Sequence, residues 1–182
     1  PLSIANTVAP GLGLAGTLSG QATVTGPATD PRAQFTIEGA GIDAAAIGEF
    51  GIAPLSLSAS GSYANGTVTL ASARANGAGG LNATASGTIP LEGGGLNLTV
   101  NGSAPLALAN RFVAERGASL TGTATLDARV TGALASPQFS GAVSVAGGEY
   151  IDPVLNLRLS GITGSASLSG ERAVINTLSA NL

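Results

Sequence analysis

The stretch GGEYIDPVLNLRL, residues 147–159, packs two carboxylates, a phenol, a diglycine and a proline into a short span. Glu149 and Asp152 are residue types that move protons or hold a metal, and Gly147-Gly148 is backbone that can approach a ligand closely. Each of these chemistries needs partners. Two carboxyl groups work as acid and base only when both face one cleft. Most of Asp30, Glu38, Asp43, Glu49, Glu92, Glu115, Asp127 and Glu171 instead fall at turns or on polar faces. The chain has no His and no Cys, and its basic residues are all Arg. No serine has a His or Lys to activate it, and no zinc site of Cys or His can form. Gly147-Gly148 and Gly93-Gly94-Gly95 are not followed by a helix opening on Lys-Ser or Lys-Thr, so they read as bulges and loose turns, not phosphate cradles. The triplets at Asn65, Asn82 and Asn97 match a glycosylation acceptor, a pattern expected here by chance. The expectation is a protein that is not an enzyme and has no cofactor and no metal.

Composition narrows the class further. Only 9% of the 182 residues are charged and the net charge is −3. There is no basic stripe for a phosphate backbone, so nucleic acid is not an expected partner. Mean hydropathy is positive, yet aromatics make up 3% and the chain lacks Trp and Met. No window reaches the roughly 18 to 20 apolar residues of a membrane helix. Pro1-Leu2-Ser3 opens mid-pattern without a signal peptide, which reads as an internal fragment of a longer protein. The lack of Cys suits an envelope protein that avoids stray disulfides.

The elements that must carry this apolar content show a period of two. In LTGTATLDARVT, Leu120, Gly122, Ala124, Leu126, Ala128 and Val130 face one way and Thr121, Thr123, Thr125, Asp127, Arg129 and Thr131 the other. That alternation is a strand with one apolar and one polar face. The same reading places Leu18 and Val24 on a strand from Leu18 to Thr25, Phe35 and Ile37 on Phe35 to Glu38, and Leu55 and Leu57 on Leu55 to Ser60. Val68 and Leu70 lie on Thr67 to Ala71, Leu81 and Ile89 on Leu81 to Ile89, and Leu96, Leu98 and Val100 on Leu96 to Asn101. Phe139, Val143 and Val145 lie on Phe139 to Val145, Leu155, Leu157 and Leu159 on the next run, and Ile162 and Leu168 on Ile162 to Leu168. Asn65-Gly66 signals a type I′ hairpin, Leu91 to Gly95 a longer loop, and Ser169 to Arg172 a further turn. Short turns joining strands predict an antiparallel meander without crossover helices. Pro105 to Gly117 has Leu106, Ala109, Phe112 and Val113 at helical spacing with Gly117 as its C′ residue, and Ile42 to Gly48 reads as one helical turn.

The chain also repeats. Pro1-Leu2 and Ala5-Asn6 match Pro105-Leu106 and Ala109-Asn110 at an offset of 104 (105 − 1). Leu14, Gly16, Thr17, Val24, Thr25, Gly26 and Pro31 match Leu120, Gly122, Thr123, Val130, Thr131, Gly132 and Pro137 at 106 (137 − 31). The expected organisation is a first β-trough repeat at residues 1–104 and a second, incomplete one at 105–182, in one elongated body. The fold class is all-β: a curled antiparallel sheet forming an open trough with an apolar interior and one or two short helical turns.

The C-terminal part, GGEYIDPVLNLRLSGITGSASLSGERAVINTLSANL, resembles the C-terminal domain of the TamB family. Gly148, Tyr150, Pro153, Leu155, Leu157, Leu159, Ile162, Gly170, Val174, Ile175, Leu178, Ser179 and Ala180 carry that pattern. The Val-Thr-Gly segments with a proline five residues on, and the PLxLAN lead-ins at Pro1 and Pro105, extend the resemblance over nearly the whole chain. It implies a long protein of the Gram-negative periplasm, anchored in the inner membrane. It implies a partner outer-membrane barrel of the Omp85 class, TamA-like, and a role in inserting autotransporters and other outer-membrane proteins. It also implies kinship with AsmA-like and chorein-like bridge proteins that carry phospholipid, and a β-taco fold.

Moving one acyl chain into water costs about 0.8 kcal/mol per CH₂, so exposing roughly 30 such groups would cost on the order of 24 kcal/mol. A lipid bridge therefore needs an unbroken apolar lining with no ionisable residue on it, and the lining expected here is the set of apolar strand residues named above. Tyr150 is expected to plug or border the trough. GGEYIDPVLNLRL becomes a joint: Gly147-Gly148 lets the strand bend, and Pro153 ends one ladder before Leu155, Leu157 and Leu159 return to the apolar face. The alternative reading is a chaperone-like scaffold whose trough or edge strands hold unfolded outer-membrane β-strands. A passenger β-helix would have shorter rungs, and a membrane barrel would carry aromatic girdles that two Tyr and four Phe do not supply.

Overall fold

The computed structural model describes residues 13–43, 52–91, 93–170 and 172–182. They form one open antiparallel sheet of ten strands in chain order. The strands are β1 (Ala15–Thr25), β2 (Arg32–Asp43), β3 (Leu55–Ala64), β4 (Thr67–Asn76), β5 (Asn82–Pro90), β6 (Leu96–Pro105), β7 (Ser119–Ala133), β8 (Ser136–Asp152), β9 (Leu157–Ser169) and β10 (Arg172–Asn181). A short α1 (Asn110–Val113) sits between 3₁₀ turns at Leu106–Ala109 and Ala114–Arg116. Gly117 follows at φ 67, the left-handed residue expected after a helix. The sequence reading of Ile42 to Gly48 as a helical turn is corrected at its start, where Ile42 and Asp43 end β2; residues 44–48 lie outside the described set. The PLxLAN lead-in at Pro1 lies outside it too.

Each hairpin has a local cause. Asn65 and Gly66 both take positive φ, 50 and 68, the type I′ turn that Asn-Gly favours. The β7–β8 connection is only Leu134-Ala135. These short turns share one end of the sheet, and the helical segment stands at the other.

Several strands run further than strict alternation allows, because bulges reset the parity of their faces; β4, β8 and β10 show it. In β4, Ser72 pairs Ser60 while Leu70 pairs Gly61, so Ala71 is an extra residue. In β8, Gly147 takes φ 61 between Val145, opposite Gly164, and Gly148, opposite Ile162. In β10, Ile175 pairs Ala166 and Thr177 pairs Ser165, leaving Asn176 extra. An inserted residue twists the strand and returns the apolar side chains beyond it to the face they would otherwise leave.

The repeat reappears as hydrogen-bond register. Ala15 pairs Asp43 and Thr17 pairs Ala40 across a bulge; Thr121 pairs Glu149 and Thr123 pairs Ala146 across its counterpart. Every one of these positions is offset by 106 (121 − 15). The bulge glycines agree as well, Gly41 at φ 62 and Gly147 at φ 61. The sheet itself is continuous across residues 104 and 105, with β6 paired to β7 along its full length.

Candidate functional site

Following partners from strand to strand shows how the two faces are made. One rung runs Leu18, Gly39, Leu57, Ala75, Ala83, Gly102, Leu126, Val143, Ala166 and Ile175, one residue from each strand. The next runs Gly20, Ile37, Ala59, Ala73, Ala85, Val100, Ala128, Gly141, Leu168 and Ala173. Neither contains a polar side chain. A third carries Phe35, Leu70, Leu98, Val130 and Phe139 with Ala22, Gly61 and Gly87 between them. Towards the short-turn end, Val24, Ala33, Tyr63, Val68 and Ile89 follow one another, and Leu96 faces Gly132. Towards the helical end, Ala104, Ala124, Val145, Gly164 and Leu178 share a rung, and Leu120, Tyr150 and Leu159 share another.

The opposite face is mostly polar. Ser19, Glu38, Ser58, Arg74, Thr84, Asn101 and Asp127 stand side by side across seven strands. Hydroxyl pairs link neighbouring strands there, Thr163 with Ser179 at 2.7 Å and Ser165 with Thr177 at 2.8 Å.

Among the described residues, little covers the apolar face. Substantial contacts run between neighbouring strands and, at one end, with the helical segment. Among the described residues Leu96 and Ala118 are the buried hydrophobic ones. Most apolar side chains of the central strands are half-buried by their own neighbours. A depression of ≈ 160 Å³ beside the helical end is lined by Leu81, Ala83, Gly102, Ala104, Ala124, Leu126 and Val143 among others. Larger hollows of ≈ 450 and ≈ 300 Å³ lie on the polar face of β1–β4, lined chiefly by residues such as Gln21, Thr23, Ser58 and Ser60. Those are open clefts between short hydrophilic side chains, and water fills them at no cost.

Most of the residues expected along the lining share this face, with two differences. Leu155 does not return to it: β8 ends at Asp152, β9 begins at Leu157, and Leu155 lies in the turn between them, 64% exposed. Leu81 stands just ahead of β5, in the turn that its amide closes onto Ala78, and reaches the lining of the depression from there. Sequence reasoning placed Gly122, Ala124 and Ala128 on this face but did not name Gly39, Ala75, Ala83 or Gly102. It also missed Ile175 and Leu178, whose strand loses its alternation at the Asn176 bulge.

The expectation of a lining free of ionisable groups is corrected at Asp152. This carboxylate is on the parity of Tyr150 and Gly148 and is 1% exposed. Its Oδ1 accepts the Val154 and Leu155 amides at 3.0 Å each, and its Oδ2 accepts the Tyr150 hydroxyl at 3.0 Å. Hydrogen bonds of this kind are what make a buried carboxylate tolerable. The Tyr150 ring thereby stays between Leu120 and Leu159 with its polar tip turned to the turn. Glu149, on the other face, accepts from Arg158 Nε at 2.6 Å. GGEYIDPVLNLRL is thus a bulge, a strand end and a carboxylate-closed turn. Among the described residues no group of three or more His, Cys, Asp or Glu could hold a metal, and no helix is long and apolar enough to cross a membrane. Comparisons with protein-family models, with curated proteins and with solved structures find no match to this chain.

Proposed function

We propose that the apolar face is a groove for phospholipid acyl chains, and that the sheet is one stretch of a periplasmic bridge between inner and outer membrane. The observation that carries this reading is the unbroken apolar rung from Leu18 to Ile175, with no second layer over it among the described residues. An antiparallel sheet with one apolar face ordinarily buries that face against another element. Among the described residues the face lacks such a cover and most of its side chains are aliphatic, so an aliphatic guest matches it. Glycine and alanine are interspersed among larger side chains along the rungs, which leaves room for a flexible chain to lie between them. The resemblance to the TamB family supports the same reading and supplies the setting, with an Omp85-class barrel as partner of the longer protein.

The test is a photocrosslinking scan in phospholipid-containing membranes. A photoreactive residue at Leu126, Val130 or Leu157 is expected to form lipid adducts, and one at Thr125 or Arg158 is not. Equal labelling of both faces would refute a groove. Adducts to outer-membrane polypeptides at Leu126 and Val130, without lipid, would give the site to the strand-holding alternative.

A further inference from the structure

The β8–β9 turn, Pro153-Val154-Leu155-Asn156, is apolar where it is most exposed, with Val154 at 74% and Leu155 at 64%. Its backbone donors are all used within the turn. Pro153 has no N–H. Asp152 Oδ1 accepts the Val154 and Leu155 amides, and the Asn156 amide donates to the Pro153 carbonyl at 3.4 Å. The carboxylate that collects two of these amides is itself 1% exposed and also accepts the Tyr150 hydroxyl. A second apolar tip stands at the same end of the sheet. Asn110 Oδ1 accepts the Leu120 amide at 2.6 Å, and Leu120 pairs Tyr150. Two residues on from Asn110, Phe112 is 68% exposed, with the Arg111 guanidinium 4.8 Å from its ring centre.

We propose that this end of the sheet docks on a phospholipid membrane, with Val154, Leu155 and Phe112 entering the boundary between headgroups and acyl chains. Entry into that layer strips water from the backbone, and an amide without a partner there is costly. The turn enters with its amides already satisfied, so its exposed side chains can gain from burial without that penalty. Aliphatic tips and a ring beside a cation suit such a boundary, where the ring is buried and the cation meets lipid phosphate. A protein partner fits less well. A turn that uses its own amides has none left to extend a sheet. Three tips also fall far short of the roughly 20–30 residues a side that a stable protein interface takes. A second copy of the chain is disfavoured on the same two grounds. The inference stands apart from the groove reading, since it concerns the strand ends and not the apolar face, and a chain that carried no acyl chain would still dock.

The chain has no cysteine, so a single thiol places one environment-sensitive fluorophore. Val154→Cys, Leu155→Cys and Phe112→Cys chains are labelled and titrated with vesicles of phosphatidylethanolamine and phosphatidylglycerol. Leu134→Cys is the control, because Leu134 is also apolar and 59% exposed but lies in the β7–β8 turn at the opposite end. A blue shift, and quenching by spin labels held at shallow depth in the lipid, are expected at the three tips and not at Leu134→Cys. The unlabelled double variant Val154→Ser and Leu155→Ser should bind vesicles about tenfold more weakly, the ratio that 1.4 kcal/mol gives. Both side chains are exposed, so its circular dichroism should be unchanged. The proposal is overturned by an absent shift at Val154→Cys and Leu155→Cys, by an equal shift at Leu134→Cys, or by a serine variant that binds as well as the original chain. A shift that grows with protein concentration without vesicles would also overturn it and give the tips to a second copy.

Discussion

Removing the Asp152 carboxylate should unpin the β8–β9 turn. Its bonds to the Val154 and Leu155 amides and to the Tyr150 hydroxyl are all 3.0 Å, full-strength lengths. Hydrogen bonds to a charged acceptor contribute about 1.5–3 kcal/mol each, but not additively. Val154 and Leu155 are 74% and 64% exposed, so water can take over their amides in the variant. The half-buried Tyr150 hydroxyl cannot be rescued so easily. Relief of the cost of burying a charge offsets part of the loss. We therefore expect about 3 kcal/mol for Asp152→Ala and about 1 kcal/mol for Asp152→Asn, which still offers an oxygen to both amides. Tyr150→Phe should cost about 1 kcal/mol, and a double-mutant cycle with Asp152→Ala should return a coupling of similar size. Urea denaturation followed by circular dichroism gives these values. A cost for Asp152→Ala below that of Tyr150→Phe, or a coupling of zero, would refute the role assigned to the carboxylate.

Gly147→Ala should cost about 1–2 kcal/mol for a left-handed backbone alone, since a Cβ there meets nothing within 4 Å. Gly41→Ala, its counterpart in the repeat, should cost the same, and unequal thermal shifts would argue against their equivalence. Gly122→Ala should be far worse, because its Cβ would lie 2.7 Å from the Gly148 backbone; failure to yield folded protein is the expected result. Arg158→Ala should change stability by less than about 1 kcal/mol despite its pairing with Glu149, because the arginine side chain is 71% exposed. Leu126→Asp should abolish lipid carried through purification, measured by native mass spectrometry, while Thr125→Asp leaves it unchanged.

The all-β meander, the Asn65-Gly66 hairpin and the helical segment after Pro105 were legible because each has a local cause. Period two reports a half-covered strand, Asn-Gly reports positive φ, and Gly117 reports a helix end. What escaped is what bulges do. Leu70, Ala71, Ser72 and Ala73 look like the end of a strand when counted in twos, and β4 instead continues to Asn76. Phe139 to Val145 was readable as one unit of β8, but Gly147 allows the strand to run on to Asp152. β10 was hidden by the same device at Asn176. The inward position of Asp152 also had no sequence signal, because a carboxylate before Pro153 looks like an exposed turn residue until its oxygens are seen to collect the turn's own amides.

The bulges also explain how a long sheet keeps one apolar face. A ladder that twists continuously drifts out of alignment with its neighbours. Extra residues at Ala71, Gly147 and Asn176 shift register locally, and the residues beyond them resume the parity that the adjacent strand demands. The counterparts recur at nearly equal offsets, Gly41 with Gly147 at 106 (147 − 41) and Ala71 with Asn176 at 105 (176 − 71). The repeated feature is therefore a schedule of parity corrections more than a set of side chains. That accounts for the loosening of residue identity after Pro31 and Pro137 while the register stays in step. Selection for an unbroken apolar path would act on this schedule, since a single missed correction turns a rung such as Leu57, Ala75 and Ala83 towards the polar face.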